Sequence, residues 1–244
     1  MISDEATLML VIVALYLYDS TLMLAANEAV LVRARKGRWF ASFGSQNYRL
    51  AGKEPYLPNP LTPHRPLFAL AWSTEAKPVS AADSSVARLD AETSLDAMAV
   101  FVFPMALALF VLLPLGLFSR LGIIFTYAAI ALFYANAVAA LAMVYLRRQE
   151  LKITSRQLAA IAFQCVACPP FALNLVRKLC AANPMKIDLT VAAAQLLRPE
   201  EIEQVNAQCL LRLDEQIDFE PDGSSRISTM TEARARFLPR EEVS

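Results

Sequence analysis

One acidic residue, Asp19, interrupts an otherwise hydrophobic stretch, LYLYDSTLML, near the start of the chain. A carboxylate in hydrocarbon must be protonated or bonded to a polar partner. Counting about 1.5 Å per helical residue predicts that Asn136, in a later apolar segment, lies at nearly the same depth. The predicted intramembrane polar cluster comprises Asp19, Asn136, Tyr18 and Tyr134.

Two kinds of chemistry are open to this cluster. It could relay a proton or an ion, or it could form a polar clasp that fixes helix packing or recruits another subunit. A relay through hydrocarbon needs more than one ionisable group, and Asp19 is the single carboxylate in the predicted intramembrane segments. The clasp is therefore the favoured interpretation.

A second chemical candidate is the CxxC pair Cys165 and Cys168, which two prolines follow directly. Such a pair can be redox-active, or it can bind zinc if Cys180, Cys209 or His64 completes the site. The surrounding residues AIAFQCVACPPFAL are apolar rather than electropositive, and cysteine is commonly a small buried hydrophobe. The sequence therefore predicts no metal site, and Cys165 and Cys168 stay an alternative.

The usual catalytic motifs do not occur in this chain. His64 is its only histidine, and there is no GxSxG, HExxH or P-loop spacing. This argues against the common hydrolase, metalloprotease and nucleotide-dependent sites, so we predict no catalytic residue and no cofactor. The formal charge is zero, with 23 basic and 23 acidic residues. No nucleic-acid partner is expected, because no net charge attracts the chain to phosphates.

The elements that must position these residues are predicted to be membrane helices. Of the 244 residues, 56% are hydrophobic, which is more apolar surface than one soluble core of this size usually hides. Three segments contain the roughly 20 apolar residues that a bilayer crossing requires. They are about Ala6 to Ala26, about Ala97 to Phe118 and about Leu121 to Leu146. Because two residues separate the last two segments, they should form an antiparallel hairpin.

Basic residues predict the orientation of these helices, since they accumulate on the cytoplasmic side. The outer side would carry Asp4, Glu5 and Arg120. This places the N-terminus outside, and the insert of residues 39–96 and the C-terminal third in the cytoplasm of a bacterial-type inner (plasma) membrane. The cytoplasmic cations would be Arg33, Arg35, Lys36, Arg38, Arg147, Arg148, Lys152 and Arg156.

The insert of residues 39–96 is predicted to contain a small antiparallel sheet. RWFASFGSQNYRLAGK alternates apolar and polar residues around positions 44–47, and PLFALAW is a third strand-like run. The proline-rich connector KEPYLPNPLTPHRP between them excludes helix, and residues 73–92 form a linker. An insert this rich in aromatic residues is expected to dock on the cytoplasmic helices or on a partner protein, and the alternative is a small self-contained fold that closes over its own C-terminal region. The partner-binding candidates are Trp39, Tyr56, His64, Arg65 and Trp72.

Small residues repeat every four positions along the third apolar segment, at Ala131, Ala135 and Ala139. Small side chains at this spacing let two helix backbones approach closely. The expected neighbour is the first apolar segment of the same chain. Binding of a helix from another protein is the alternative.

The region of residues 147–219 is predicted to be helical and to lie at the cytoplasmic face. Pro169 and Pro170 break its apolar segment 158–176, and both ends are basic. These features favour two half-helices lying at, or dipping into, the membrane over a fourth crossing. Asp188 and Pro199 are predicted to begin two further helices. The polar tail of residues 220–244 is predicted to be mobile.

The predicted fold is therefore an α-helical integral membrane protein with three transmembrane helices, a small β-containing cytoplasmic insert and a helical cytoplasmic C-terminal region. Its segments would be 1–38, 39–96, 97–146, 147–219 and 220–244. This organisation favours a non-enzymatic accessory, scaffold or assembly subunit whose partners are the lipid bilayer and other membrane or cytoplasmic proteins. The alternatives are a proton- or ion-handling component using Asp19 in an oligomer, and a cysteine-dependent redox or zinc membrane enzyme.

Overall fold

The computed structural model describes residues 3–34, 38–74, 95, 97–120, 122–182, 185, 187–221 and 224–238. The chain divides into two compact units. The first comprises Met1–Leu22, Leu57–Pro66 and Ala91–Asn183, and the second comprises Met23–Tyr56, Leu67–Asp90 and Pro184–Ser244. Most of the predicted linker, from residue 75 onward, lies outside the described residues, as do positions 35–37 of the first basic cluster.

The first unit is helical. Helix α1 (Asp4–Ser20) begins after Ser3, whose hydroxyl accepts a hydrogen bond from the Ala6 N–H. The other helices in its described residues are α2 (Ala99–Phe118), α3 (Gly122–Leu146), α4 (Ser155–Ala167), α5 (Pro169–Ala172) and α6 (Leu175–Ala182). Within α2, residues Ala108–Leu112 form a π-helical segment. The apolar segment 158–176 is thus broken at Pro169 and Pro170. This is expected, because proline has no backbone N–H and its ring clashes with the preceding turn of a helix.

Helices α2 and α3 form the predicted hairpin, and both are long and apolar enough to cross a membrane. They approach each other closely at Gly116, where any Cβ would overlap the backbone of Thr126. The inward face of α3 consists of Ala129, Phe133, Ala137, Ala140 and Val144. These spacings of three and four residues follow the 3.6-residue turn and keep one face of the helix toward its neighbours.

The predicted packing stripe of α3 is wrong. Ala131 and Ala135 are exposed, and Ala139 is half-buried. The stripe is displaced by two residues from the buried row that begins at Ala129, which turns it about 200° around the helix. Binding of a helix from another protein to the exposed alanines stays a prediction.

The predicted first span is wrong beyond Ser20. Helix α1 has 17 residues, and the chain then turns extended and enters β1 (Leu22–Leu24) and β2 (Glu28–Arg33). The run EAVLVR, which lies in the predicted first segment of residues 1–38, is therefore a strand. A short continuous apolar run fits a buried helix or a buried strand equally well from the pattern alone, and strand pairing decides between them.

The second unit contains a three-stranded antiparallel sheet with β2 in the centre, between β3 (Trp39–Phe43) and β5 (Leu67–Ala71). The outer two strands coincide with predicted ones. The predicted hairpin around positions 44–47 is wrong, because β4 (Glu54–Tyr56) pairs with β1 instead. Where the second strand of that hairpin was predicted, the chain forms a tight turn in which Ala51 and Gly52 have positive φ.

The described residues of the second unit also form the helices α7 (Leu189–Leu196), α8 (Pro199–Phe219) and α9 (Ser225–Arg234). Asp188 caps α7 as predicted, accepting a hydrogen bond from the Thr190 N–H. The prediction of a mobile tail is wrong for α9, whose Arg234 Nε donates to Asp214 Oδ1 at 2.6 Å. Helix α9 is ordered because Met230 and Ala233, three residues apart, are both buried. Residues 239–244 lie outside the described part of the chain.

Candidate functional site

Asp19 lies in the last turn of α1 and forms an ion pair with Lys178. The Lys178 Nζ lies 2.6 Å from Asp19 Oδ1, and the two side chains are 16% and 10% exposed. Asn174 donates from its amide to Asp19 Oδ2 at 3.0 Å. The carboxylate thus has a cation and a neutral donor, the two kinds of partner that a mostly buried charge requires.

Asn174 connects this ion pair to the proline-rich connector. Its amide donates to Ser20 Oγ at 3.0 Å, and its Oδ1 accepts from Arg177 Nη1 at 3.1 Å. The other guanidinium nitrogen, Nη2, donates to the carbonyls of Asn59 at 2.8 Å and Thr62 at 3.3 Å. We call Asp19, Ser20, Asn174, Arg177 and Lys178 the α1–α6 clasp, because their bonds join α1, the connector and α6.

The break between α4 and α6 positions the clasp. Pro169 and Pro170 end α4 and start the short helix α5, after which α6 runs back so that the Ala182 carbonyl accepts a hydrogen bond from Gln157 Nε2 at 2.9 Å. Asn174 directly precedes α6, and the Lys178 N–H of α6 donates to the Asn174 carbonyl at 2.9 Å, so the two side chains four residues apart lie on one face. That face meets the end of α1.

The predicted intramembrane cluster of Asp19, Asn136, Tyr18 and Tyr134 is wrong. Asn136 donates to the Leu132 carbonyl of its own helix at 2.7 Å, and Tyr18 is 78% exposed. The Tyr134 hydroxyl donates to the Val166 carbonyl at 3.4 Å. Asp19 lies at the end of α1 rather than in its middle, so its partners are Lys178 of α6 and Asn174, the residue before α6. The spacing of Asn174, Arg177 and Lys178, three and four residues apart, is the sequence signal that could have identified the partners of Asp19.

Of the five partner-binding candidates, the two tryptophans are buried in the second unit. Trp39 packs against Phe68 with ring centroids 6.1 Å apart, and Trp72 is 1% exposed. Their prediction as partner-binding residues is wrong, because their strands turn them into the core. Tyr56 and Arg65 are half-buried. So is His64, whose ring centroid lies 4.8 Å from that of Phe103.

The cysteines do not form a metal site in the described residues, where no group of three or more potential ligands comes together. Cys165 is buried, and burial raises the pKa of its thiol to about 11. Burial likewise raises the pKa of the Cys209 thiol to about 12. A thiol that stays protonated at neutral pH is a poor nucleophile and a poor ligand.

In the second unit, a buried ion pair between Glu54 and Arg212 fastens α8 to β4. Arg212 Nη2 also donates to the Gly44 carbonyl at 3.0 Å. Arg49 contacts Glu54 at 3.3 Å and Glu215 at 2.8 Å. Position 44 has to be glycine for this arrangement, because a Cβ there would lie 2.6 Å from Glu54 Cβ.

Next to this network lies a groove of about 510 Å³, which we call the β3–α8 groove. Strand β3 is an edge strand of the sheet. The Ala34 N–H donates to the Arg38 carbonyl, so these two residues form a hydrogen-bonded pair of the β2–β3 ladder. Bonded and non-bonded pairs alternate along an antiparallel ladder, and the N–H and C=O groups of Ala41 and Phe43 therefore point away from β2. The groove is lined by Phe40, Ala41, Phe43, Glu201, Gln204 and Gln208, together with Val205 and Ala207. Its formation depends on the central position of β2, which the sequence did not predict.

Comparison with known proteins identifies no relationship for this chain. No protein-family model, no curated protein and no solved structure matches it.

Proposed function

We propose that this protein is a membrane-anchored accessory or assembly subunit. The observation that carries the proposal is the exposed surface of the hairpin of α2 and α3. Only 28% of the most apolar stretch of each helix is buried inside the protein. Many of the remaining apolar side chains are exposed, among them Val100, Phe103, Ile123, Ile124 and Val138. An apolar surface of this extent is unfavourable in water and favourable in hydrocarbon.

The proposed location is a bacterial-type inner membrane, with the hairpin tip outside. The tip carries Arg120, whereas four cations follow the other end of α3, at positions 147–156. Helix α1 would be the third crossing. Its 17 residues span about 25 Å, and its middle part lines an apolar groove with α2 and α3. The α1–α6 clasp would then lie at the cytoplasmic edge of the bilayer.

A role in docking rather than catalysis is supported by how the buried polar side chains are used. Each buried polar residue of the described part of the chain makes hydrogen bonds that join elements of the fold. Asp188, for example, caps α7 and accepts from the Ser73 N–H at 2.8 Å. These residues are Ser20, Glu54, Asn174, Arg177, Asp188 and Arg212. Asp19 also forms an ion pair with Lys178, which favours a role in holding helices together over a role in relaying protons or ions.

The β3–α8 groove is the proposed docking surface for a partner protein. An edge strand beside a helix can accept an extended peptide, which adds to the sheet through its backbone. Phe40 is 36% exposed in this groove and offers an apolar anchor.

The test is extraction of the native protein from its membrane with a mild detergent, followed by measurement of its mass under native conditions. The proposal expects a membrane fraction that resists carbonate washing, and a complex heavier than the single chain. Phe40→Asp should dissociate that complex, while Phe219→Asp, at a residue 80% exposed near the end of α8, should not. A carbonate-soluble protein, or one that runs as a single chain, would contradict the proposal.

A further inference from the structure

A second groove, of about 440 Å³, runs between α3 and α4, and we call it the α3–α4 groove. Helix α4 returns antiparallel along α3, because Tyr134 contacts the Val166 carbonyl while residues 147–154 connect the opposite ends. The groove lining is almost entirely apolar and includes Val138, Leu141, Ala142, Tyr145, Leu158 and Ala162.

Cations gather where the two helices connect. Arg147, Arg148, Lys152 and Arg156 lie within ten positions of the chain, with Glu150 as the one acidic residue among them. The Arg148 guanidinium lies 4.5 Å from the ring centroid of Tyr145, a side chain of the groove. Arg156 is exposed in the first turn of α4, next to Ser155, which also lines the groove.

None of these four cations takes part in an ion pair with the described residues, whose ion pairs use other basic side chains. The α3–α4 groove therefore combines an apolar channel with a net positive charge at one end. A ligand that satisfies both must have a long apolar part and an anionic head.

We propose that the α3–α4 groove binds one anionic phospholipid. Its acyl chain lies along Val138, Leu141 and Leu158, and its phosphate contacts Arg148 and Arg156. Guanidinium groups match phosphate oxygens through paired hydrogen bonds, and basic pockets between membrane helices recognise anionic headgroups. A free phosphate ion would leave the apolar channel empty, so the lipid is the occupant that fits. This inference rests on the membrane location given under the proposed function.

The experiment measures lipid retention by native mass spectrometry of the full chain, purified in detergent with equal amounts of phosphatidylglycerol and phosphatidylcholine of the same acyl chains. We expect at least about tenfold preferential retention of phosphatidylglycerol. The double variant Arg148→Ala with Arg156→Ala should lose this preference. Arg120→Ala, which removes an exposed arginine at the hairpin tip, should keep it.

A second pair of variants tests the apolar channel. Ala142→Phe should fill the groove and reduce phosphatidylglycerol binding although both arginines remain, whereas Ala131→Phe, on an exposed face of α3, should not. Equal retention of both lipids by a carbonate-resistant protein would overturn the lipid site and leave the membrane location standing. Displacement of phosphatidylglycerol by inorganic phosphate alone would also overturn it. A carbonate-soluble protein would overturn the proposed function as well.

Discussion

At the scale of single residues, Asp19 shows what a charge in an apolar stretch requires. A carboxylate removed from water keeps its charge only beside a cation or several donors. The sequence identified Asp19 as a residue in need of a partner, but its partner Lys178 lies 159 positions away. A contact over that separation depends on how α4, α5 and α6 fold back, which no local pattern encodes.

We predict that Asp19→Asn destabilises the first unit, because the substitution leaves the Lys178 ammonium mostly buried and without its carboxylate. The expected loss is roughly 3 kcal/mol in the free energy of unfolding, the size typical for breaking a buried pair. Thermal unfolding in detergent measures it. The double variant Asp19→Asn with Lys178→Met should recover part of the loss, because the two residues interact directly.

The matched control for this prediction is Glu150→Gln, at an exposed position of the loop between α3 and α4. It should change the unfolding temperature little, as expected for a surface charge. If Asp19→Asn behaves like this control, the α1–α6 clasp does not stabilise the fold.

Cys209 gives a prediction about pH. Burial raises the pKa of its thiol from 9.0 to about 12, with the carboxylate of Asp188 as a smaller cause. The unfolded thiol ionises first, so the stability that Cys209 contributes is complete below about pH 9 and is lost as the pH rises toward 12. Iodoacetamide at pH 9 should therefore leave Cys209 unmodified in the folded protein and alkylate it after unfolding in urea. Mass spectrometry of peptides measures the extent of alkylation. Rapid alkylation of Cys209 in the folded protein would show that the thiol is accessible and would contradict the prediction.

At the scale of elements, β2 illustrates how pairing decides between helix and strand. Its run of four buried residues, Ala29–Val32, has no alternation that would identify a strand. The neighbouring strands β3 and β5 bond to it on both sides and thereby satisfy its backbone groups. By contrast, the break at Pro169 and the helix starts at Asp188 and Pro199 were predictable, because proline geometry and capping act within a few residues.

We predict that Leu31→Ala in β2 destabilises the second unit by about 2–5 kcal/mol, because Leu31 has no exposed surface and leaves a cavity in the sheet core. Leu50→Ala, at a residue 55% exposed, is the matched control and should have little effect. Urea-induced unfolding measures both. Equal effects of the two substitutions would argue against a buried central strand.

At the scale of the whole molecule, the distribution of charge and apolar surface suggests a topology. The hairpin tip at Ser119 and Arg120 has one cation, and the opposite end has four. We predict that a membrane-impermeant maleimide labels Ser119→Cys in intact cells. Gln149→Cys, exposed in the loop after α3, should be labelled only after the cells are permeabilised. The reverse pattern would place the hairpin the other way round, and the wild-type chain provides the background from native cysteines.

The sequence by itself determined the features that depend on neighbours along the chain. These are the long apolar helices of the hairpin, the helix break at two prolines, two helix starts and the lopsided placement of cations, since hydropathy, ring geometry and capping all act over a few residues. Only the tertiary structure decided where α1 ends, that β2 is the central strand, that Lys178 is the partner of Asp19 and which alanines of α3 face inward. Each of these depends on contacts between distant segments, and their free energy is gained only when the chain brings those segments together.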